Sequence, residues 1–277
     1  MKTPNALSIR LIKDMMFRAG IGLVASSLLL PLLFILYYIL NKGLNAFSIE
    51  FFTQLPKPVG EVGGGVSNAI VGSLLIVTIA CAISIPLAII IGVYLAENPK
   101  HKLANYVRIC IDTLQGIPSI VIGVIAYAWI VVPMGSFSAL SGGIALGIMM
   151  LPIIAKSTEE TLKMIPYSLK EAAYALGASY PTVILKVILP AGKSGILSGI
   201  LLGVARITGE TAPLLFTAFG NPFMSTNVFN SVNALPLLIY NYATSPYQDW
   251  QNLAWGASLL LILFILLLSL LAKFIKR

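Results

Sequence analysis

Apolar residues gather into six runs, near 20–41, 68–96, 114–134, 138–156, 195–219 and 252–272, with shorter polar segments between them. A hydrocarbon core of roughly 30 Å needs about 17–25 helical residues, so each run predicts one membrane-crossing helix. The third and fourth runs are at the short end of that range and are interrupted by Pro118, Pro133 and Pro152. No period of about 20 to 50 residues recurs, which argues against a solenoid. The first run ends in YYILNKG without a small-residue cleavage pattern, so it reads as a retained span. The expected fold class is all-α and polytopic: one membrane domain over 1–277, carrying a polar insertion at 157–194.

Composition agrees. The chain is 58% hydrophobic and 10% charged, with a mean hydropathy of +0.92, against roughly 25% charged residues in a soluble domain. The net charge of +8 would suggest a polyanion partner in a soluble protein, so its distribution along the chain decides its meaning. With loops assigned alternately to the two sides, every basic residue falls on the side of the N-terminus except Lys42 and Lys57, which lie opposite, and Arg206, which lies within a span. This is the positive-inside pattern. It places both termini in the cytoplasm, which requires an even number of spans, and it accounts for the basic excess without nucleic acid. Cys81 and Cys110 form no CxxC pair, and His101 is the only histidine, so neither a disulfide framework nor a metal site is expected.

The outer side receives two loops, about 42–67 and 220–251, rich in Gly, Pro, Asn and aromatics and suited to short interfacial helices or a docking surface. The inner insertion is more organised. Ser168 followed by Glu171 has the spacing of a capping box, Ala172, Ala173 and Ala175 favour helix, and Gly177 is a natural stop. Pro181 then suits the first turn of a second helix, whose Val183, Ile184, Val187 and Ile188 make an apolar stripe. A helix-turn-helix lying on the cytoplasmic face is expected, either as a simple connecting hairpin or as a small-residue surface that docks into a groove of another protein. GKS at 192–194 lacks the preceding glycine of a phosphate-binding loop. Ser194 has no histidine in any span to activate it, so an enzyme is not expected.

The fifth run carries the candidate chemistry. Gly195, Gly199 and Gly203 recur at every fourth residue, a pattern that lets a second helix approach closely and makes them candidates for subunit packing. Arg206 and Glu210 continue nearly the same face, followed by Pro213 and Thr217, while Leu201, Val204, Leu214 and Leu215 make an opposite, lipid-like stripe. A charge at the bilayer centre costs about 2.5–3.5 kcal/mol on insertion scales, so this stripe should face protein or water. Two readings stand. Arg206 and Glu210 neutralise each other as a packing pair, or Arg206 offers its planar fork of donors to a passing oxyanion while Glu210 keeps the site from becoming a trap. Asp112 and Gln115, at the inner end of the third run, are further pathway candidates.

Several of these stretches have a familiar form. EAAYALG at 171–177, followed by VILP at 187–190, resembles the cytoplasmic coupling motif of bacterial ABC importer permeases, with Val187 where that superfamily usually has isoleucine. GILLGVARITGETAPLLFTA at 199–218, GGGVSNAIVGS at 63–73 and SPYQDWQNLAWG at 245–256 resemble the A-subunit permeases of phosphate-specific importers. The resemblance implies a type I ABC importer permease fold in the bacterial inner membrane. It also implies a second permease subunit of similar fold, a dimeric cytoplasmic ATPase that binds ATP and Mg, and an external phosphate-binding protein. In such importers the helix around Ser168, Glu171, Ala172, Ala173 and Gly177 docks on the ATPase, and the family's intramembrane arginine and glutamate fall on Arg206 and Glu210. No cofactor is expected in this chain itself. A permease for sulfate or molybdate has the same fold, and only the charged span and outer loops separate the two. A stand-alone channel or carrier would leave the inner hairpin unexplained, and no inverted halves are apparent.

Overall fold

The structure is a computed structural model that describes residues 4–61 and 63–275. Lys2, Lys276 and Arg277, which contributed to the orientation, lie outside those residues. Among the described residues twelve helices follow one another: α1 (Pro4–Leu44), α2 (Ile49–Thr53), α3 (Ser67–Glu97), α4 (Lys102–Gly116), α5 (Ser119–Met134), α6 (Ala139–Lys163), α7 (Tyr167–Ala175), α8 (Tyr180–Ala191), α9 (Lys193–Thr208), α10 (Ala212–Thr217), α11 (Leu235–Ala243) and α12 (Gln248–Ile275). Among the described residues the only β contact is an isolated bridge between Phe219 and Val232.

Among the described residues four helices, α1, α3, α6 and α12, are long and apolar enough to cross a membrane unaided. Two further pairs are bent, α4 with α5 at 104° and α8 with α9 at 70°, and with each pair counted as one span the candidate crossings number up to six. The third span is therefore not one rod over 114–134. Gly116 ends α4, and Pro118, which holds extended backbone and has no N–H to donate, precedes α5. A π-turn over Tyr127–Val131 then relaxes the helix ahead of Pro133. The fourth span runs past 156 to Lys163, so the inner insertion is shorter than the sequence suggests and begins after α6.

The core forms where small residues let helices interlock. On α6, Gly143 lies against Ile79 and Gly147 against Ala80, and on α3 Gly92 lies against Thr158 of α6, so a β-carbon at Gly92 would come within 2.5 Å of the threonine side chain. Lipid offers no hydrophobic drive between helices, and this close van der Waals contact supplies the attraction instead. Ile76, Ala80, Ala88, Leu146, Met150 and Ile154 fill the seam. At the outer end Ser138 caps α6 by accepting from Ser141 N–H, and Ser141 returns a bond to the Ser138 backbone N–H. α1 is different. It rests on α12 near Tyr38, Gly43 and Trp255 and leaves the rest of its apolar surface outside the fold.

The outer loops contain the two short helices α2 and α11. Asn68 donates to the carbonyls of Asn221 and Pro222, and Trp250 Nε1 donates to the Lys57 carbonyl, which ties both loops together.

Candidate functional site: the Arg206 face and the inner hairpin

The glycine stripe of α9 is not free for packing between subunits, because it meets α6 of the same chain. Gly195 sits against Thr161, Gly199 against Ser157 and Gly203 against Met150 and Ile154. This seam aims the next polar residue of α9, Arg206, out of the bundle. There it lines a cavity of about 270 Å³ with Gln115, Ile117, Ile122, Met149 and Ile153. Gln115 and Arg206, ninety-one residues apart in sequence, thus share one apolar-walled site.

Glu210 does not continue the Arg206 face. α9 ends at Thr208 and Gly209 caps it, so the i, i+4 geometry is lost between the two charges. Among the described residues they form no ion pair with each other, and Arg206 makes no side-chain hydrogen bond. The packing-pair reading has no support in this geometry. Thr217 is buried on α10, where its hydroxyl donates to the Pro213 carbonyl at 2.8 Å and its own carbonyl accepts from Ser138 N–H and Ser141 Oγ. It joins loops rather than lining the Arg206 cavity. The supposed lipid-like stripe also turns inward: Val204 on α9 packs on the core, and beyond the break Leu214 is buried and Leu215 packs on the core. Asp112 is exposed and pairs with Lys156 at 2.8 Å instead of reaching the cavity.

A second cavity, of about 440 Å³, is lined by Ser157, Glu160, Thr161, Gly199, Leu202 and Lys273, among others. On α6, Met149, Ile153, Ser157 and Glu160 recur every third or fourth residue, as do Gly199, Leu202 and Arg206 on α9. Both sets therefore lie on one face of their helices. The second cavity is the cytoplasmic continuation of the Arg206 face.

The inner hairpin is α7 and α8. The capping box does not form: Pro166 occupies the cap position, no side chain caps the helix, and Ser168 lies inside it. The stop forms as expected. Gly177 has φ +79°, its N–H donates to Tyr174 and the Ala178 N–H donates to Ala173. These are the two bonds of a Schellman ending. Ser168, Glu171, Ala172 and Gly177 face solvent, whereas Ala173 is buried against Leu162, Val183, Ile184 and Ile188, so its part is to seat the hairpin. The exposed side carries Tyr167, Tyr174 and Leu176, the last 89% exposed. An exposed apolar surface of this kind is suited to docking against another protein.

Charged links that sequence reasoning passed over hold the inner ends together. Arg108 donates through Nε to Glu159 Oε1 at 2.7 Å, through Nη2 to the Leu95 carbonyl and through Nη1 to the Pro99 carbonyl. Lys163 also bonds Glu159, and Lys170 of α7 bonds Glu97 at the end of α3. A carboxylate on the buried side of an apolar helix was the one available signal for Glu159. Glu97 and Lys170 carry none, being 73 residues apart. His101 caps α4 by accepting from the Leu103 N–H.

On the outer face, a cavity of about 670 Å³ opens between residues 55–59, 219–223 and the α11–α12 junction, where Tyr242 stacks on Trp250 at 4.5 Å.

The sequence profile of the binding-protein-dependent transport system inner membrane component family matches residues 88–277. The chain is 46% identical to the phosphate transport system permease protein PstA of Yersinia pestis over 245 residues, 88% of this chain and 83% of that one. It is 39% identical over 260 residues to a probable phosphate transport system permease protein PstA of Methanocaldococcus jannaschii, 94% of this chain and 92% of that one. Among solved structures, an inward-facing MetNI methionine ABC transporter chain superposes with a TM-score of 0.60 at 20% identity, covering 77% of this chain and 93% of that chain.

Proposed function

We infer the task of this chain from the family to which it belongs, the binding-protein-dependent transport system inner membrane components. It is a multi-pass permease subunit of an ABC importer in the inner membrane, and it is not itself an enzyme. Its cargo is inorganic phosphate, the substrate named for its curated relatives.

The proposed mechanism starts at Arg206. Its guanidinium lines a cavity otherwise bounded mainly by apolar residues and has no carboxylate partner among the described residues, and this observation carries the reading. Such a fork of donors matches two oxygens of a phosphate. Gln115, which lines the same cavity, adds amide donors. An unpaired arginine on the outside of a membrane bundle must be covered by protein or water, so the second permease subunit of similar fold closes the path by facing this side. Glu210, half-buried beyond the helix end, lowers the local positive potential and lets the anion leave. Ser157, Thr161 and Lys273 offer donors along the continuation toward the cytoplasm, with Gly199 leaving room beside them.

The outer loops receive phosphate from the external binding protein. The exposed residues of α7, Ser168, Glu171 and Ala172, together with Gly177, meet the dimeric ATPase, which binds ATP and Mg. ATP closure then moves the hairpin and, through it, the helices around Arg206.

The test is reconstitution of the whole importer in proteoliposomes with labelled phosphate. Arg206→Ala should assemble fully and hydrolyse ATP while uptake falls by about 100-fold, the scale of removing one hydrogen-bond donor that stabilises an oxyanion. Arg206→Lys keeps the charge but loses the fork, so it should be intermediate. Uptake unchanged in Arg206→Ala would remove Arg206 from the path. Selective uptake of labelled sulfate by the parent complex would change the cargo.

A further inference from the structure

We propose that the Glu97–Lys170 ion pair is a positioning latch, making α3 follow each displacement of the α7–α8 hairpin so that movement of the hairpin reaches the Arg206 face. This rests on the importer reading above.

The hairpin touches the body in two physically different ways. One is apolar: Ala173, Val183, Ile184 and Ile188 pack with Ile89, Val93 and Ala96 at the inner end of α3. Such contact is non-directional and tolerates sliding. The other is the bond from Lys170 Nζ to Glu97 Oε1 at 2.5 Å, with the two side chains only 13% and 12% exposed. At that depth salt and water screen little, and a charge-assisted hydrogen bond fixes both distance and direction.

The location adds a reason for the pair. Glu97 is the last residue of α3, where the helix dipole already presents negative carbonyls. A carboxylate there is unfavourable unless a cation is brought to it, and the only cation bonded to it among the described residues comes from α7. The same end of α3 is gripped a second time by Arg108, which bonds the Leu95 and Pro99 carbonyls while holding Glu159 of α6.

From α3 the path inward is rigid. Gly92 and Thr158 lock α3 to α6, and the glycines of α9 lock α6 to the helix that carries Arg206. The hairpin's covalent joints to α6 and α9 pass through the Ile165–Pro166 turn and Gly192, where regular helix is interrupted. A push on α7 transmitted only through these joints would be absorbed by bending. The latch gives it a direct route into α3.

The experiment uses the assembled importer in proteoliposomes and compares one protein with itself. In a background of Cys81→Ser and Cys110→Ser, Glu97→Cys and Lys170→Cys are bridged by a bifunctional methanethiosulfonate that a reductant removes. Phosphate moved per ATP hydrolysed should be near parental when bridged. After reduction it should fall roughly tenfold, within the usual range of a coupling between two sites, without loss of subunits on repurification. Glu97→Lys and Lys170→Glu should each show the same loss, and the charge-swapped double variant should recover most of it. A ratio that does not respond to bridging, or single reversals that transport as well as the parent, would overturn the latch. Parental ATP hydrolysis without phosphate movement would fault the cargo instead. In that case the stimulation of hydrolysis by the binding protein, which should follow the bridge in the same way, decides on the latch.

Discussion

Glu159 offers the sharpest test of how the inner ends are held. Its side chain is 7% exposed and meets Arg108, 23% exposed, and Lys163, 44% exposed. Glu159→Ala removes a charge-assisted bond to Arg108 worth about 1.5–3 kcal/mol and an i, i+4 bond to Lys163 worth at most about 0.5 kcal/mol. Arg108 keeps its bonds to the Leu95 and Pro99 carbonyls and some contact with water, so its charge is not stranded. That keeps the loss below the roughly 3–5 kcal/mol of breaking a fully buried pair. A destabilisation of about 2–3 kcal/mol is therefore expected for Glu159→Ala, and about 1 kcal/mol for Glu159→Gln, which retains an acceptor. The control is Lys156→Ala, which breaks a pair with both side chains well exposed and should cost about 0.5 kcal/mol or less. Unfolding by titration with SDS in mixed micelles, followed by tryptophan fluorescence, reads all three. If Glu159→Ala were as mild as Lys156→Ala, the inner clamp would be no more than a surface contact.

Further outcomes follow from the packing. Gly199→Leu places a side chain where Ser157 stands and should cost about 1–3 kcal/mol in the same titration, with uptake lost because α9 can no longer close on α6; unchanged stability would refute the seam. Thr217→Val keeps the shape of a buried residue whose hydroxyl bonds only the Pro213 carbonyl. It should cost about 1 kcal/mol and leave phosphate uptake within roughly twofold of the parent, whereas a large loss of uptake in a stable protein would put that hydroxyl in the path.

The sequence carries the crossings well because hydropathy over a long run is nearly sufficient to specify a membrane helix. It carries their breaks poorly. Gly209 lies in a run whose hydropathy reads as one span; Gly209 and the following Pro213 are local stop signals, but hydropathy, which dominates the reading of the run, passes over them and over the separation of Arg206 from Glu210. The end of α6 was missed for the opposite reason. Glu159 and Glu160 lower the hydropathy past 156, yet Glu159 is turned inward and neutralised by an arginine 51 residues away. The hairpin's glycine stop was legible because positive φ is a backbone requirement. Its start was misplaced because Pro166 opens the helix two residues before Ser168. Ala173, small like its neighbours, gave no sign that it packs inward while Ala172 faces out. The meeting of Gln115 with Arg206 was half legible: both were polar residues in apolar surroundings, and only the fold brings them to one cavity.

The central claim, that this chain forms part of a phosphate path, is tested most directly by uptake of labelled phosphate, with labelled sulfate alongside. The cells are phosphate-starved, have no other phosphate importer and lack this chain, and are compared with the same cells after it is restored. The account predicts loss of phosphate uptake alone, recovered by the parent chain and not by Arg206→Ala. Phosphate uptake that persists without the chain, or sulfate uptake that is lost with it, would contradict the claim.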